Sequence, residues 1–416
     1  MRPLAPVHSA RSRRLRGART SFALGCYLAG FAVGGLGCAD DEGSARGDTD
    51  ADTDATATDT EGTADDQLFR ACEAVSTAIP GLAGGVCAPL GSDYAPGAAD
   101  EWPVCASDDG MYRLIGSTPG ALGRVEGYES ISALLWERSD APTADDFTAA
   151  RTIYAEDQGL ESRVLRREDL HVPPIPASEW DPGFDPDKQC TVAANVPRYP
   201  ERCLGPSTLA PILNDAFAAG QTGAGEPRVQ AERIHATLLW FFYLSIYKEA
   251  YTCSLAGKDC DSMWAKYTGG TERSGARGLS EEVVAVAPAA HARIWDGLLA
   301  IRCWRDLNPD AEVPTILDAS EAALQQYCGG WEQLDNALHY GWSELLVDRL
   351  ERQGTLTGVD AAANWAFAQV AGQALQRELS ERGVTSTASL WAMDAAPDAA
   401  TLTTAVADIR GAIPCP

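Results

Sequence analysis

Leu238-Leu239-Trp240-Phe241-Phe242-Tyr243-Leu244 is apolar around its whole circumference, yet it is bounded by Glu232 and His235 on one side and by Lys248 and Glu249 on the other. A membrane span needs roughly 20 apolar residues, so this run is too short to cross a bilayer. A helix that is hydrophobic all round is one surrounded by neighbours, and the stretch therefore predicts the helix at the centre of the core. Pro227 suits the first position of that helix, which is expected to run to about Cys253.

Working outward, the helical signal persists towards the C-terminus. A short helix is expected around Met263 to Tyr267. Ser280, with Glu281 and Glu282 in the first turn, caps another that carries Pro288 as a kink and ends near Asp306. Further helices are expected at about 314–327, 331–352, 359–382 and 398–411, several of them stopped by Gly329, Gly354 or Gly383. Gly220 to Gly225 reads as a link between helices, because it follows a helix rather than a strand. On the N-terminal side, Phe69 to Ile79 reads as helical and residues 80–126 are rich in Gly and Pro without a sustained period. Thr143-Ala144-Asp145-Asp146 has capping-box spacing and starts a helix through about Glu156, continuing past Leu160, Val164 and Leu165 towards Asp169. Between the two halves, residues 172–206 hold eight prolines, which exclude continuous helix or central strand. The fold class is mainly α: an irregular multi-helix bundle stabilised by disulfides, with a long Pro-rich loop and little β.

The N-terminus carries a different message. Arg2, Arg11, Arg13, Arg14, Arg16 and Arg19 precede a short apolar run from Phe22 to Gly37 that closes on Leu36-Gly37-Cys38. That order reads as an export signal, which delivers a chain to disulfide-forming conditions. It resembles the signal of bacterial lipoproteins, in which small residues precede a cysteine that receives lipid before the leader is removed. Gly35 stands where that signal usually has Leu. The resemblance implies a signal peptide over residues 1–37, lipidation at Cys38, and an exported chain held at a bacterial cell-envelope membrane by its N-terminal lipid. Cys26 is a second candidate, but cutting there leaves an apolar region of about five residues where 7 to 15 is usual.

Acid dominates the rest. The chain has a net charge of −26, and removal of the leader's six Arg takes it to −32. Residues 39–66 hold eleven acids against Arg46 alone, so this segment is expected to be a solvated, disordered tether. Its Asp48-x-Asp50-x-Asp52-x-Asp54 resembles a calcium loop only superficially, since Thr53 occupies the position that needs Gly. Residues 67–416 form the folded part, with 172–206 as the place for any subdivision, and retain −22. That charge argues against nucleic acid as a partner.

Without Cys26 and Cys38, ten cysteines remain, an even number that favours five disulfides. Short separations suggest Cys72–Cys87, Cys190–Cys203, Cys253–Cys260 and Cys303–Cys328, which leaves Cys105–Cys415. There is no Cys-x-x-Cys for zinc and no Cys-x-x-Cys-His for haem.

Catalytic signatures are missing from the sequence: it has no Gly-x-Ser-x-Gly elbow, no His-Glu-x-x-His and no phosphate loop with Lys. What chemistry there is lies in the helical histidines. Glu232 and His235 have the Glu-x-x-His spacing that puts two ligands on one helical face, and Asp335 and His339 sit one turn apart. Together with His291 these five would suit zinc or iron, although a di-iron bundle needs a second Glu-x-x-His that the chain lacks. An all-helical envelope protein with buried histidines is similar in architecture to the imelysin-like proteins, but their Gly-x-His-x-x-Glu motif is absent, so no site residue is carried over. Asp181, Asp185 and Asp187, near Trp180 and Phe184, form a weaker ligand candidate, against the reading of an ordinary proline-held turn. The leading expectation is a non-enzymatic, lipid-anchored envelope protein that binds a small molecule or an envelope protein and requires no cofactor. A metal-binding protein is the first alternative, and a structural component of a surface assembly is the second.

Overall fold

The computed structural model describes Tyr112 and residues 114–414, except 157–158, 166, 168–174, 176, 185, 201, 205–207, 254–255 and 308–320. The leader with Cys38, the acidic stretch, the expected helix at Phe69–Ile79, His171, and the Cys72–Cys87 and Cys105–Cys415 pairs lie outside the described residues, as do the side chains of Cys303 and Cys328. The fold is mainly helical, with twelve α-helices and no strand among the described residues. None of these helices is long and apolar enough to cross a membrane.

The central helix, named α6 from its place in chain order, spans Pro227–Thr252. Ile234, Leu238, Leu239, Phe241, Phe242, Leu244 and Ile246 are all essentially inaccessible to solvent. Six helices account for this. They are α1 (Ala121–Leu135), α5 (Ala210–Thr222), α7 (Gly257–Thr268), α8 (Leu279–Val286), α10 (Glu321–Gln353) and α11 (Gly358–Glu381), each of which packs on α6. One continuous core runs from Tyr112 to Ile413.

Local chemistry sets the helix ends. At the start of α2 (Ala144–Glu156), the Thr143 amide donates to Asp146 Oδ2 at 2.7 Å and the Asp146 amide donates to Thr143 Oγ1 at 3.3 Å, the reciprocal pattern expected from the sequence. The chain then continues as a single short helix, α3 (Leu160–Val164). The last helix, α12 (Ala399–Ala412), opens on Asp398, whose carboxylate accepts from the Thr401 amide at 2.8 Å. Gly223 closes α5 with φ of 68°, a left-handed conformation that glycine adopts without strain.

Two expectations about helix boundaries are corrected. Pro288 breaks the chain rather than kinking it: Ala287 is driven out of helical geometry, α8 ends at Val286, and Pro288 begins α9 (Pro288–Leu307). Gly329 does not stop a helix, because α10 runs unbroken from Glu321 to Gln353. The neighbouring Gly330 lies where a Cβ would stand 3.1 Å from the Cβ of Ala300 on α9, so here glycine permits close helix packing. Helix α1 was not expected, because its sequence carries no legible period: Gly123, Arg124 and Gly127 are buried along with Val125, Tyr128 and Ile131.

The proline-rich segment is ordered by its own small cluster of Ile175, Cys190, Tyr199 and Cys203, with Trp180 packed against it. The Cys190–Cys203 disulfide joins it, with Cα atoms 5.0 Å apart. Helix α4 (Asn195–Arg198) adds Asn195, which donates to Asp181 Oδ2 at 2.8 Å and to the Gln189 carbonyl at 3.1 Å. Asp181 is therefore engaged in holding a turn. The Cys253–Cys260 disulfide, with Cα atoms 4.6 Å apart, ties the end of α6 to α7.

Candidate functional site

The helical histidines occupy three separate environments. His235, 2 % exposed on α6, has Nδ1 3.3 Å from Glu232 Oε2 and Nε2 3.1 Å from Glu282 Oε1 of α8. His339 repeats the arrangement on α10, with Nδ1 3.0 Å from Asp335 and Nε2 3.4 Å from Glu378 of α11. His291, on α9, pairs Nδ1 with the Tyr267 hydroxyl at 3.0 Å and Nε2 with the Arg273 carbonyl at 3.1 Å. The edges of Tyr243 and Tyr247 face His339, so it sits two turns or more along α6 from His235.

The five residues singled out for a metal, Glu232, His235, His291, Asp335 and His339, are thus not brought to one centre. Among the described residues no group of three His, Cys, Asp or Glu side chains could hold a metal ion. The reason is local. An imidazole with a carboxylate on each nitrogen has no lone pair left for a cation, and it is itself the cation.

Charge confirms that assignment of roles. Burial alone would lower the pKa of His235, but the Glu282 charge and the hydrogen bonds to Glu232 and Glu282 raise it above the ordinary value. His339 is raised in the same way against its burial, chiefly by Asp335. Burial pushes Glu232 up, yet the Arg349 guanidinium and His235 override it and hold the carboxyl down at about 2. His291 is the opposite case: burial pushes it down to about 4, so its neutral ring donates from Nε2 and accepts the tyrosine proton at Nδ1.

Aromatic rings enclose the His235 pair. The indole of Trp136 is stacked on the imidazole, and Phe367 meets it edge-on at 5.0 Å. Arg349, 3.2 Å from Glu232, lies with its guanidinium carbon 3.9 Å above the Phe367 ring.

Directly over this network opens a cleft of about 170 Å³. Its walls are the end of α1 with the following loop (Trp136, Arg138, Asp140), the first turns of α6 (Arg228, Glu232), the end of α10 (Arg349, Arg352) and the start of α11 (Asp360, Asn364). Arg228 bridges two walls, donating to Asp360 at 2.8 Å and to the Ser139 carbonyl at 2.7 Å. Sequence reasoning found Glu232 and His235 from their spacing. It missed Trp136, Glu282, Arg349 and Asn364, whose helices are far apart in the chain and meet only in the fold.

No family model matches this chain, and no curated protein or solved structure matches it either.

Proposed function

We propose that this chain is a lipid-anchored protein of the bacterial cell envelope, attached through Cys38 and an acidic tether, whose helical domain binds a small ligand in the cleft beside Trp136. The leader and the tether composition support the location. The cleft carries the binding reading: its walls come from four helices, and the histidine beneath it is locked between two carboxylates. Such an imidazolium cannot serve as a general base, which favours recognition over proton-transfer catalysis.

Two measurements test this reading. Full-length protein expressed in a Gram-negative host should take up labelled fatty acid, lose its leader and fractionate with membranes, and Cys38→Ser should abolish the labelling. Native mass spectrometry of protein released gently from membranes should show a bound small molecule. An unprocessed, unlabelled product in the soluble fraction would overturn the location. Protein with no ligand under any gentle preparation would overturn the binding role.

A further inference from the structure

We propose that α8 is a proton-operated flap: the charged His235 ring holds it down through Glu282, and loss of that proton releases it to bare an apolar groove between α1, α9 and α10. Its construction allows separate movement. The helix has eight residues, of which Leu279, Ser280 and Val283 are buried. Both ends are breaks in the helical chain: Gly278 has φ of 57°, in the left-handed region, and Ala287 leaves helical geometry ahead of Pro288. What lies beneath is apolar. Val283 Cγ1 is 3.2 Å and Ile294 Cδ1 of α9 is 3.4 Å from the Cβ position of Gly341 on α10, and Val125 Cγ1 of α1 is 3.1 Å from that of Gly278. Ile294 and Val125 are wholly shielded from water.

Like charges push α8 away from α1. It carries Glu281 and Glu282, while Glu129 of α1 and Glu137 just beyond that helix face them. Burial first, and then Glu129, Glu137 and Glu282, raise Glu281 above the ordinary carboxylate value, with Arg277 opposing. Glu129 is raised too, by burial and then by Glu137 and Glu282, against the Gly278 amide and Arg277. The Tyr128 hydroxyl lies in the same negative field and is held well above its ordinary value, mainly by burial.

Two ties resist that repulsion. Glu129 Oε1 accepts from the Gly278 amide at 2.7 Å, and Glu282 Oε1 lies 3.1 Å from His235 Nε2. The second depends on the imidazole proton. Around the ring, α6 presents Glu232, α10 presents Arg349 against that carboxylate, and α1 and α11 present the uncharged Trp136 and Phe367. With the proton in place, two carboxylates meet two cations. Without it, Glu232 and Glu282 share Arg349, and one ring N–H serves two acceptors. The bond to Glu282 then loses its charge assistance, which roughly halves its strength, and the repulsion on α8 gains an unbalanced negative charge. His235 is raised above its ordinary value, so the tie is whole below about pH 6.5 and weakens as pH rises through the folded value.

Amide hydrogen exchange of the full-length chain tests this, because a released helix of eight residues is too short to persist in water and its amides exchange. Protection over residues 279–286 should lie about tenfold or more below that of residues 238–246 in α6 and be insensitive to dilute denaturant, the signature of local opening. It should fall about tenfold from about pH 6.5 upward and level off where the His235 imidazole resonance finishes titrating. His235→Gln should remove the pH response. Should that variant fail to fold, Glu282→Gln should shrink the fall to about threefold or less, since His235 then titrates nearer its ordinary value. Protection equal to that of α6, and equally sensitive to denaturant, would show that α8 opens only with the whole bundle and would overturn the proposal. So would an undiminished fall in Glu282→Gln, or a pH response that survives His235→Gln or tracks the His339 resonance instead.

Discussion

The indole of Trp136 lies flat on the imidazole of His235, with centroids 4.5 Å apart and planes 6° from parallel. A cation buried against an aromatic face and gripped by two carboxylates is stable only while its counter-charges remain. Glu282→Gln should therefore lower the pKa of His235 and destabilise the fold by about 1–3 kcal/mol. Denaturant unfolding reads the second effect and histidine NMR the first. An unchanged His235 titration would show that Glu282 is not its partner.

The histidines should respond to pH in opposite senses. His235 and His339 have folded values raised above the unfolded value of about 6.5. Their stabilisation is fully present below about pH 6.5 and is lost as pH climbs through the folded values. His291 is depressed to about 4. Its contribution is present above about 6.5 and is lost as pH falls from there towards 4. The imidazole resonances of His235 and His339 should titrate above the ordinary histidine value and that of His291 well below it, and His235→Gln should flatten the alkaline limb of a plot of melting temperature against pH.

Close packing of α9 on α10 depends on Gly297, where a Cβ would stand 2.8 Å from Cα and Cβ of Leu334. Gly297→Ala should destabilise by about 1–3 kcal/mol although alanine is the better helix former. Gly411, near the end of α12, has nothing within 4 Å of its Cβ position. Gly411→Ala should stabilise by about 0.5–1 kcal/mol, and the opposite signs would be read from thermal melts.

The Cys190–Cys203 disulfide spans 13 residues, a closure that contributes about 3 kcal/mol in the chain-entropy model. Replacing both cysteines by Ser should open residues 177–203 to limited proteolysis while the helical circular dichroism is kept. Protection equal to wild type would mean that Trp180 and Asn195 hold the segment unaided.

Much of the fold could be read from the sequence, because long helices announce themselves by composition, caps and prolines. Pro227 opens α6, Thr143 and Asp146 box the start of α2, and Cys190–Cys203 and Cys253–Cys260 pair as their short separations suggest. What failed was the meaning of glycine: Gly329 read as a stop, whereas the helix runs through it and its neighbour Gly330 is a place where two helices touch. The site was legible only in part. The Glu232–His235 spacing is a feature of one helix, but the partners that decide its chemistry arrive from α1, α8, α10 and α11. Their convergence depends on tertiary packing, and no local pattern encodes it.

Because α6 is sheathed by helices drawn from both sides of the proline-rich segment, neither half of the chain can melt by itself without baring Phe241, Phe242 and their neighbours to water. The described bundle is accordingly one cooperative unit. A cut within residues 177–203 would yield two pieces that regain structure only by associating with each other.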